Sequence, residues 1–246
     1  METRFLRLVL VVALLAGVQA PAEPLKPKVP TLAVLYFDYT GKDEELGALR
    51  KGLAQMLISD LAGSDGVRLV ERERLQEVLA ELKLGRTASF DANTAAKVGK
   101  LLGAQLMVMG SYFALGSTLR ADARVVEVET GRVLHSTGAT GKADDFLLLE
   151  QKLGAALLSF VATVPKASES PVPEKRDGPA PSGETGRRAR VSPPTKLHLR
   201  TALRYSKALD ALDAGKKAEA KSELEAVVKE QPDFRLASLD LDKLMK

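Results

Sequence analysis

The chain has 246 residues, a formal net charge of +4, an apolar fraction of 45% and an aromatic fraction of only 4%. This length allows one or two domains, and a core can be built mainly from Leu, Val and Ala. The absence of cysteine excludes disulfides, cysteine-ligated zinc and thiol catalysis. The excess of positive charge lies near the N-terminus and in residues 165–196, so the remaining chain is close to neutral. This distribution predicts no nucleic-acid partner.

The first residues have the order of a signal peptide. Arg4 and Arg7 precede an apolar run over residues 8–16, and small residues follow it. The run is far shorter than the roughly 20 residues that a membrane-spanning helix needs. We therefore predict a signal peptide over residues 1–20, a Pro-rich spacer over 21–30 and a periplasmic location. No cysteine follows the cleavage site, so no lipid anchor is expected.

Residues 31–163 predict one α/β domain. The continuous β-favouring run at 31–37 is typical of a buried central strand, and 67–70 reads as a short strand. Asp43 is the expected N-cap of a helix whose apolar residues recur at helical spacing, namely Leu46, Leu49, Leu53, Leu57 and Leu61. A second helix is indicated by Leu75, Val78, Leu79 and Leu82.

A third helix begins at Asp91 or Asn93 and ends at Gly103. Three β-like runs follow at 105–113, 118–128 and 132–140. Gly131 stands where a tight turn needs positive φ, so the last two should pair antiparallel. The alternation in 118–128 predicts one strand face under helices and one in water. Asp144 or Asp145 should cap a last helix with the apolar face Phe146, Leu149, Leu153, Leu157 and Phe160.

The fold class expected from these patterns is α/β, with a mixed sheet packed against helices. From residue 164 to 195 the composition changes to Pro, Ser, Gly and charged residues without an apolar period, which predicts a flexible linker. Residues 196–246 should then form a small helical repeat segment.

The helical segment resembles a tetratricopeptide repeat over residues 201–234. The matching residues are Ala208, Gly215, Ala220, Leu224, Val228 and Pro232. A single repeat cannot bury its own apolar face, so we expect residues 233–246 to add a third, covering helix. The resemblance implies a concave partner-binding face formed by Ala202, Tyr205, Leu209, Leu212 and Asp213.

An ordered set of motifs resembles the CsgG-like family, known for the curli secretion channel. The set comprises the first strand, Leu-Val-Glu-Arg-x-x-Leu at 69–75, Gly-Lys-Leu-Leu-Gly-Ala at 99–104, Met-Gly-Ser at 109–111 and Val-Glu-Thr-Gly-Arg at 128–132. It covers about residues 31–163. The resemblance implies a soluble periplasmic module. The chain lacks the acylated cysteine and the extra hairpins of the channel, which argues against a pore.

No catalytic, metal-binding or cofactor-binding residues are predicted. His135 and His198 lack metal-ligand spacing, and His135 is expected on a strand surface. Glu73, Glu77 and Glu81 share a helix face, interleaved with Arg72, Arg74 and Lys83, which favours a solvated, salt-bridged surface over a catalytic carboxylate pair.

The sequence therefore predicts a non-enzymatic exported envelope protein that acts as an interaction or adaptor module. Its expected partners are envelope proteins of unknown identity. The alternative is a ring-forming component of an outer-membrane secretion assembly, with homo-oligomers and peripheral outer-membrane association.

Overall fold

The computed structural model describes residues 29–84, 91–164 and 193–246. The predicted signal peptide, most of the spacer and residues 165–192 of the predicted linker lie outside the described residues. The strands are β1 Thr31–Val34, β2 Asp38–Tyr39, β3 Arg68–Leu69, β4 Leu106–Leu115, β5 Thr118–Glu127 and β6 Val133–Lys142. The helices are α1 Glu44–Gly47, α2 Leu49–Leu61, α3 Arg72–Glu81, α4 Ala92–Leu102, α5 Phe146–Thr163, α6 Leu199–Asp213, α7 Lys217–Glu230 and α8 Arg235–Leu244.

The six strands form one mixed sheet, which confirms the predicted fold class, although β2 was not among the predicted strands. The strand order is β3-β1-β4-β5-β6, with β2 pairing separately with β4. Strand β1 runs parallel to β3 and β4 and is buried along its whole length, which confirms the predicted central strand. Strands β4, β5 and β6 form an antiparallel unit with ten residues in each strand.

Turn and cap signals are mostly confirmed. Gly131 has φ of 71° in the turn between β5 and β6, which pair antiparallel as expected. The Asp43 carboxylate accepts hydrogen bonds from the backbone N–H of Glu45 at 2.9 Å and of Leu46 at 3.4 Å. Asp91 accepts from the Thr94 N–H at 2.7 Å, so Asp91 rather than Asn93 caps α4.

Two helix predictions were wrong in detail. The helix expected from Asp43 to Leu61 is divided at Ala48 into α1 and α2. Asp145 is the N-cap residue of α5, one of the two predicted, but its side chain makes no capping hydrogen bond, and a 3₁₀ turn over Ala143–Asp145 continues directly into that helix. The carboxylates therefore serve only as acidic residues at the start of the helix.

Helix α5 packs on the antiparallel part of the sheet. It contacts β5, β6 and α2, and its buried residues include Phe146, Leu149, Leu153, Leu157 and Val161. By length and composition alone, Ala143–Thr163 could cross a membrane, and it is the one such helix among the described residues. In this fold the same apolar residues form the core.

The C-terminal helices pack on the α/β domain. Helices α6 and α7 form a hairpin around Gly215, which has φ of 71°, and α8 packs against α7. Helix α6 contacts α2 along its length. Every residue of α2 except Arg50 is buried, because the helix lies between the rest of the domain and α6. The third helix expected after residue 233 is present; the tetratricopeptide assignment stays a prediction.

Candidate functional site

The residues predicted to bind a partner lie at the contact with α2 and α8. Ala202 and Tyr205 are fully buried and Leu209 is 1% exposed. Leu212 is half-buried and packs against the core, and the Asp213 carboxylate takes part in ion pairs. The structure thus brings the five predicted residues together along one helix and covers them with other parts of the same chain.

Asp213 joins two buried cations of the α/β domain. Lys51 Nζ donates to Asp213 Oδ2 at 2.6 Å and forms a second ion pair with Asp210 Oδ1 at 2.8 Å. Arg72 Nη1 donates to Asp213 Oδ1 at 2.7 Å and to Oδ2 at 2.8 Å. The Lys51 and Arg72 side chains are only 8% and 4% exposed. Burial of such charges is tolerated only because each has a close counter-charge.

The surroundings of this cluster shift the pKa values of its neighbours. Burial lowers the pKa of the Arg72 guanidinium, but the charge and hydrogen bond of Asp213 together with the effects of Tyr36 and Glu73 outweigh burial, and the pKa lies above its usual value. Burial raises the pKa of the Tyr36 hydroxyl, and the positive charge of Arg72 partly opposes this effect. The Tyr36 ring lies 5.4 Å from Lys51 Nζ. Arg72, expected on a solvated surface, is therefore a buried residue of this contact.

Gly52 allows α2 and α6 to approach closely. A Cβ atom at Gly52 would lie 1.9 Å from Ser206 Oγ and 3.1 Å from Ser206 Cβ, and both distances are shorter than a van der Waals contact. Ser206 is fully buried and its hydroxyl donates to the Ala202 carbonyl at 3.0 Å. The contact between these helices thus requires glycine at position 52.

Further polar contacts hold the C-terminal helices together and to the domain. The Tyr205 hydroxyl donates to Asp240 Oδ2 on α8 at 2.7 Å, and its ring meets Phe234 edge-on at a centroid distance of 4.9 Å. At the exposed rim, Lys207 lies 3.4 Å from Glu45 and Lys243 lies 3.6 Å from Glu73. Rim pairs of this kind contribute little, so the buried cluster and the apolar contacts dominate.

A second surface is the uncovered face of the antiparallel strands. On one side of the sheet, Leu119, Ala121, Ala123 and Val125 of β5 are buried, and α5 packs there. On the other side, cross-strand rows place Phe113 beside Arg120 and Thr140, Ser111 beside Asp122 and Gly138, and Met109 beside Arg124 and Ser136. This outer set is mostly exposed, which confirms the predicted division into a covered and a wet face.

We call this surface the open sheet face, defined by Met109, Ser111, Phe113, Leu115, Arg120, Asp122, Arg124, Ser136, Gly138, Thr140 and Lys142. Helix α4 covers only the neighbouring end of the same side of the sheet. It packs closely there, since a Cβ atom at Gly99 would lie 2.6 Å from Met107 Sδ and 2.7 Å from Val128 Cγ2. The part of the open sheet face around Asp122 and Arg124 has a solvent-open depression of about 470 Å³.

An ion pair lies across the floor of that depression. Arg120 Nε donates to Asp122 Oδ2 at 2.9 Å and Arg120 Nη2 donates to Oδ1 at 2.6 Å, and this pairing raises the pKa of Arg120. Gly138 leaves the necessary space, since a Cβ there would lie 2.4 Å from Asp122 Oδ1. Within the described part of the chain, the Arg124 and Lys142 side chains have neither an ion pair nor a hydrogen bond.

The remaining polar candidates from the sequence do not converge. His135 faces α5 rather than solvent, stacked on Phe160 at a centroid distance of 4.8 Å, so the predicted strand-surface position was wrong. Glu77 pairs with Arg74 on the exposed side of α3. Among the described residues, no group of three or more His, Asp and Glu side chains could hold a metal ion.

A known family model matches part of the chain. Residues 19–123 match the family model described as curli production assembly/transport component CsgG. The match includes β1 to β4 and the first part of β5. It supports the resemblance for the motifs up to residue 111, while the motif at 128–132 and the rest of the predicted domain lie outside it. No curated protein matches the chain.

Several solved structures are similar to a little more than half of the chain. The LpoB C-terminal domain from Salmonella enterica is 19% identical, with 55% of this chain and 93% of that chain covered and a TM-score of 0.35. Lipoprotein GNA1162 from Neisseria meningitidis is 16% identical, with coverage of 55% and 97% and a TM-score of 0.40. The PelC dodecamer from Paraburkholderia phytofirmans is 13% identical, with coverage of 59% and 94% and a TM-score of 0.33.

Proposed function

We propose that the protein is a non-enzymatic component of the cell envelope that works by binding other proteins. The observation that carries this proposal is the open sheet face, where Phe113 is 38% and Leu115 77% exposed on the same side of the sheet as Arg120, Arg124 and Lys142. Large apolar side chains next to Arg are typical of protein-binding surfaces. The family-model match to an assembly and transport component supports the same function.

The location proposed for this activity is the periplasm. The sequence pattern of residues 1–20 supports export, and peripheral association with the outer membrane is part of the proposal. Export puts the open sheet face in the compartment where envelope assemblies form. Envelope proteins are therefore the partners that it would meet.

The site predicted on α6 is a less favourable surface for a second protein. Tyr205 and Leu209 are covered by the chain itself, so α6 would have to separate from α2 before a partner could reach them. Separation would also expose the Lys51 and Arg72 charges without their carboxylate partners. Binding at the open sheet face needs no such rearrangement, so we place the partner there.

Photo-crosslinking in the cell tests this function. A photoreactive amino acid is introduced singly at three exposed apolar positions: Leu115 on the open sheet face, Leu148 on α5 and Leu239 on α8. We expect Leu115 to give a specific adduct with an envelope protein. The proposal is disproved if none of the three positions gives a protein adduct and the protein instead catalyses a reaction that one substitution abolishes.

A second candidate function is a ring-forming envelope component. It is favoured by β6, a ten-residue strand at the edge of the sheet whose outer side pairs with no strand of the described residues. Such an edge can pair with another copy of the chain. Native mass spectrometry of residues 21–246 tests it: a stable multimer supports the ring, and a monomer at all concentrations excludes it.

A further inference from the structure

We propose that the open sheet face is a docking site for an acidic amphipathic segment of a partner protein. This inference rests on the proposed function and specifies the partner's chemistry. It depends on three properties of the surface: its charge, the position of its apolar side chains and its shape.

The charge of the open sheet face is opposite to that of the domain as a whole. Residues 31–163 contain 17 Asp and Glu against 15 Lys and Arg. The face itself carries three cations, Arg120, Arg124 and Lys142, against the single anion Asp122. Asp38 of β2 is in register with Ser111 at the border of the face, and Arg50 pairs with its charge. Because Asp122 is taken up by Arg120, the charge available to a partner is that of Arg124 and Lys142. Complementarity therefore favours carboxylates on the bound segment.

The apolar side chains lie on β4, to one side of these two cations, which lie on β5 and β6. Phe113 and Leu115 are two residues apart on β4 and point to the same side of the sheet. The row of Phe113 ends at Thr140 on β6, and the row of Leu115 ends at Lys142 on the same strand. Arg124 lies on β5, two rows away from Phe113. A segment that runs along the strands above β4 and β5 thus meets apolar side chains on one side and cations on the other, which matches an amphipathic segment with apolar and acidic residues on adjacent faces.

The shape and the small number of cations argue against an anionic membrane surface as the occupant. A depression of about 470 Å³ can be filled by side chains of a partner but not by a flat layer of headgroups. The pairing of Asp122 with Arg120 leaves Arg124 and Lys142 to attract an anionic surface, and two cations are fewer than the roughly four to eight of a polybasic membrane-binding patch. We therefore infer a protein segment, and vesicle binding becomes one outcome of the test.

The test measures binding of two synthetic peptides to the full mature chain. One is an amphipathic helical peptide of Glu and Leu, and the other has Lys at every Glu position; phosphatidylglycerol vesicles are the third probe. The variants are Arg124→Glu and Phe113→Ser. The matched control is Lys152→Glu, which makes the same charge change at an exposed position of α5, on the opposite side of the sheet. Thermal melts establish that each variant is folded.

We expect the Glu peptide to bind, the Lys peptide not to bind, and Arg124→Glu and Phe113→Ser each to weaken binding by about tenfold or more. Lys152→Glu should leave the affinity unchanged. The inference is overturned if the Glu peptide does not bind, if Arg124→Glu has no more effect than Lys152→Glu, or if only the vesicles bind through Arg124. If envelope proteins are nevertheless captured by photo-crosslinking, the proposed function stands and only the acidic-segment inference fails.

Discussion

Asp213 Oδ2 lies 2.6 Å from Lys51 Nζ, although the two residues are 162 positions apart in the chain. Both Asp213 oxygens also accept from Arg72, so one carboxylate connects α6 to both α2 and α3. This is a specific contact rather than a loose association of helices, because three buried charges must be in place together. The C-terminal helices are thus an integral layer of the described structure.

Replacing Asp213 with Ala should strongly destabilise the protein. The substitution leaves Lys51 with Asp210 alone and Arg72 without its buried partner, and the loss of one member of a buried pair costs about 3–5 kcal/mol. Urea unfolding of the full chain measures the change. Asp242→Ala on the exposed side of α8 is the matched control. A cost below about 1 kcal/mol for Asp213→Ala would show that the cluster contributes little.

Gly52→Leu should force α6 away from α2. The added side chain would overlap the Ser206 side chain, and overpacking of this kind costs about 1–3 kcal/mol or more. Limited proteolysis should then cut the C-terminal helices faster than in the unaltered protein. The control is Gly47→Ala in α1, where the nearest atom to a Cβ is Tyr39 Cδ1 at 3.8 Å. Equal proteolysis rates in both variants would contradict the close approach.

The milder variant Gly52→Ala allows a rescue experiment. The new methyl group meets both Oγ and Cβ of Ser206, so only removal of the whole side chain relieves the overlap. We expect Ser206→Gly to recover part of the stability lost in Gly52→Ala. In a double-mutant cycle, the double variant should be less destabilised than the sum of the two single variants. Additive effects would mean that the two positions do not touch.

Cysteine crosslinking should detect the docked helices in solution. The chain contains no cysteine, so an introduced pair is the only reactive pair present. Glu45→Cys with Lys207→Cys replaces a rim ion pair of 3.4 Å and should be joined rapidly by a short bismaleimide. The control is the pair Arg124→Cys and Lys207→Cys, which places one cysteine on the open sheet face and the other on α6 and should be crosslinked poorly. Comparable yields from the two pairs would argue against docking.

The Asp240→Asn variant should gain stability relative to the unaltered protein as the pH rises. Burial raises the pKa of Asp240, against the Tyr205 hydrogen bond and the charges of Lys243 and Arg72, with Glu73 raising it further. A carboxyl group with a raised folded pKa stabilises the fold when protonated, and that contribution is lost as pH rises through the folded pKa.

Thermal melts between pH 4 and 7 measure this difference. The midpoint of Asp240→Asn minus that of the unaltered protein should increase with pH, because the amide keeps an acceptor for Tyr205 and carries no charge. Asp242→Asn removes the same charge two positions away and is the control. A difference that falls with rising pH would reverse the assignment.

Local signals made much of the α/β domain predictable. Caps such as Asp43 and Asp91 and the positive-φ glycine at 131 act within a few residues, so the sequence pattern contains the whole cause. The alternation along β5 likewise predicted which face is wet, because side chains on a strand alternate strictly. The break at Ala48 was missed, since the leucine spacing continues through it.

The contact between α6 and α2 was not predictable from the same patterns. Arg72 stands among Glu71, Glu73 and Arg74, and this run is typical of an exposed helix start. Its position three residues before Leu75 puts it on the apolar side of α3, which is the one local signal of burial. The counter-charge lies 141 residues further along the chain, beyond any local pattern.

The burial of α2 has a practical consequence for work on fragments. In a fragment that ends at residue 163, where the sequence predicts the end of the first domain, α2 would lose the cover of α6 and become exposed. Gly52 and the aliphatic part of Lys51 would face water, and Arg72 would lose its bidentate carboxylate partner. Such a truncated product should aggregate when expressed alone, and supplying residues 193–246 as a separate polypeptide should restore its solubility.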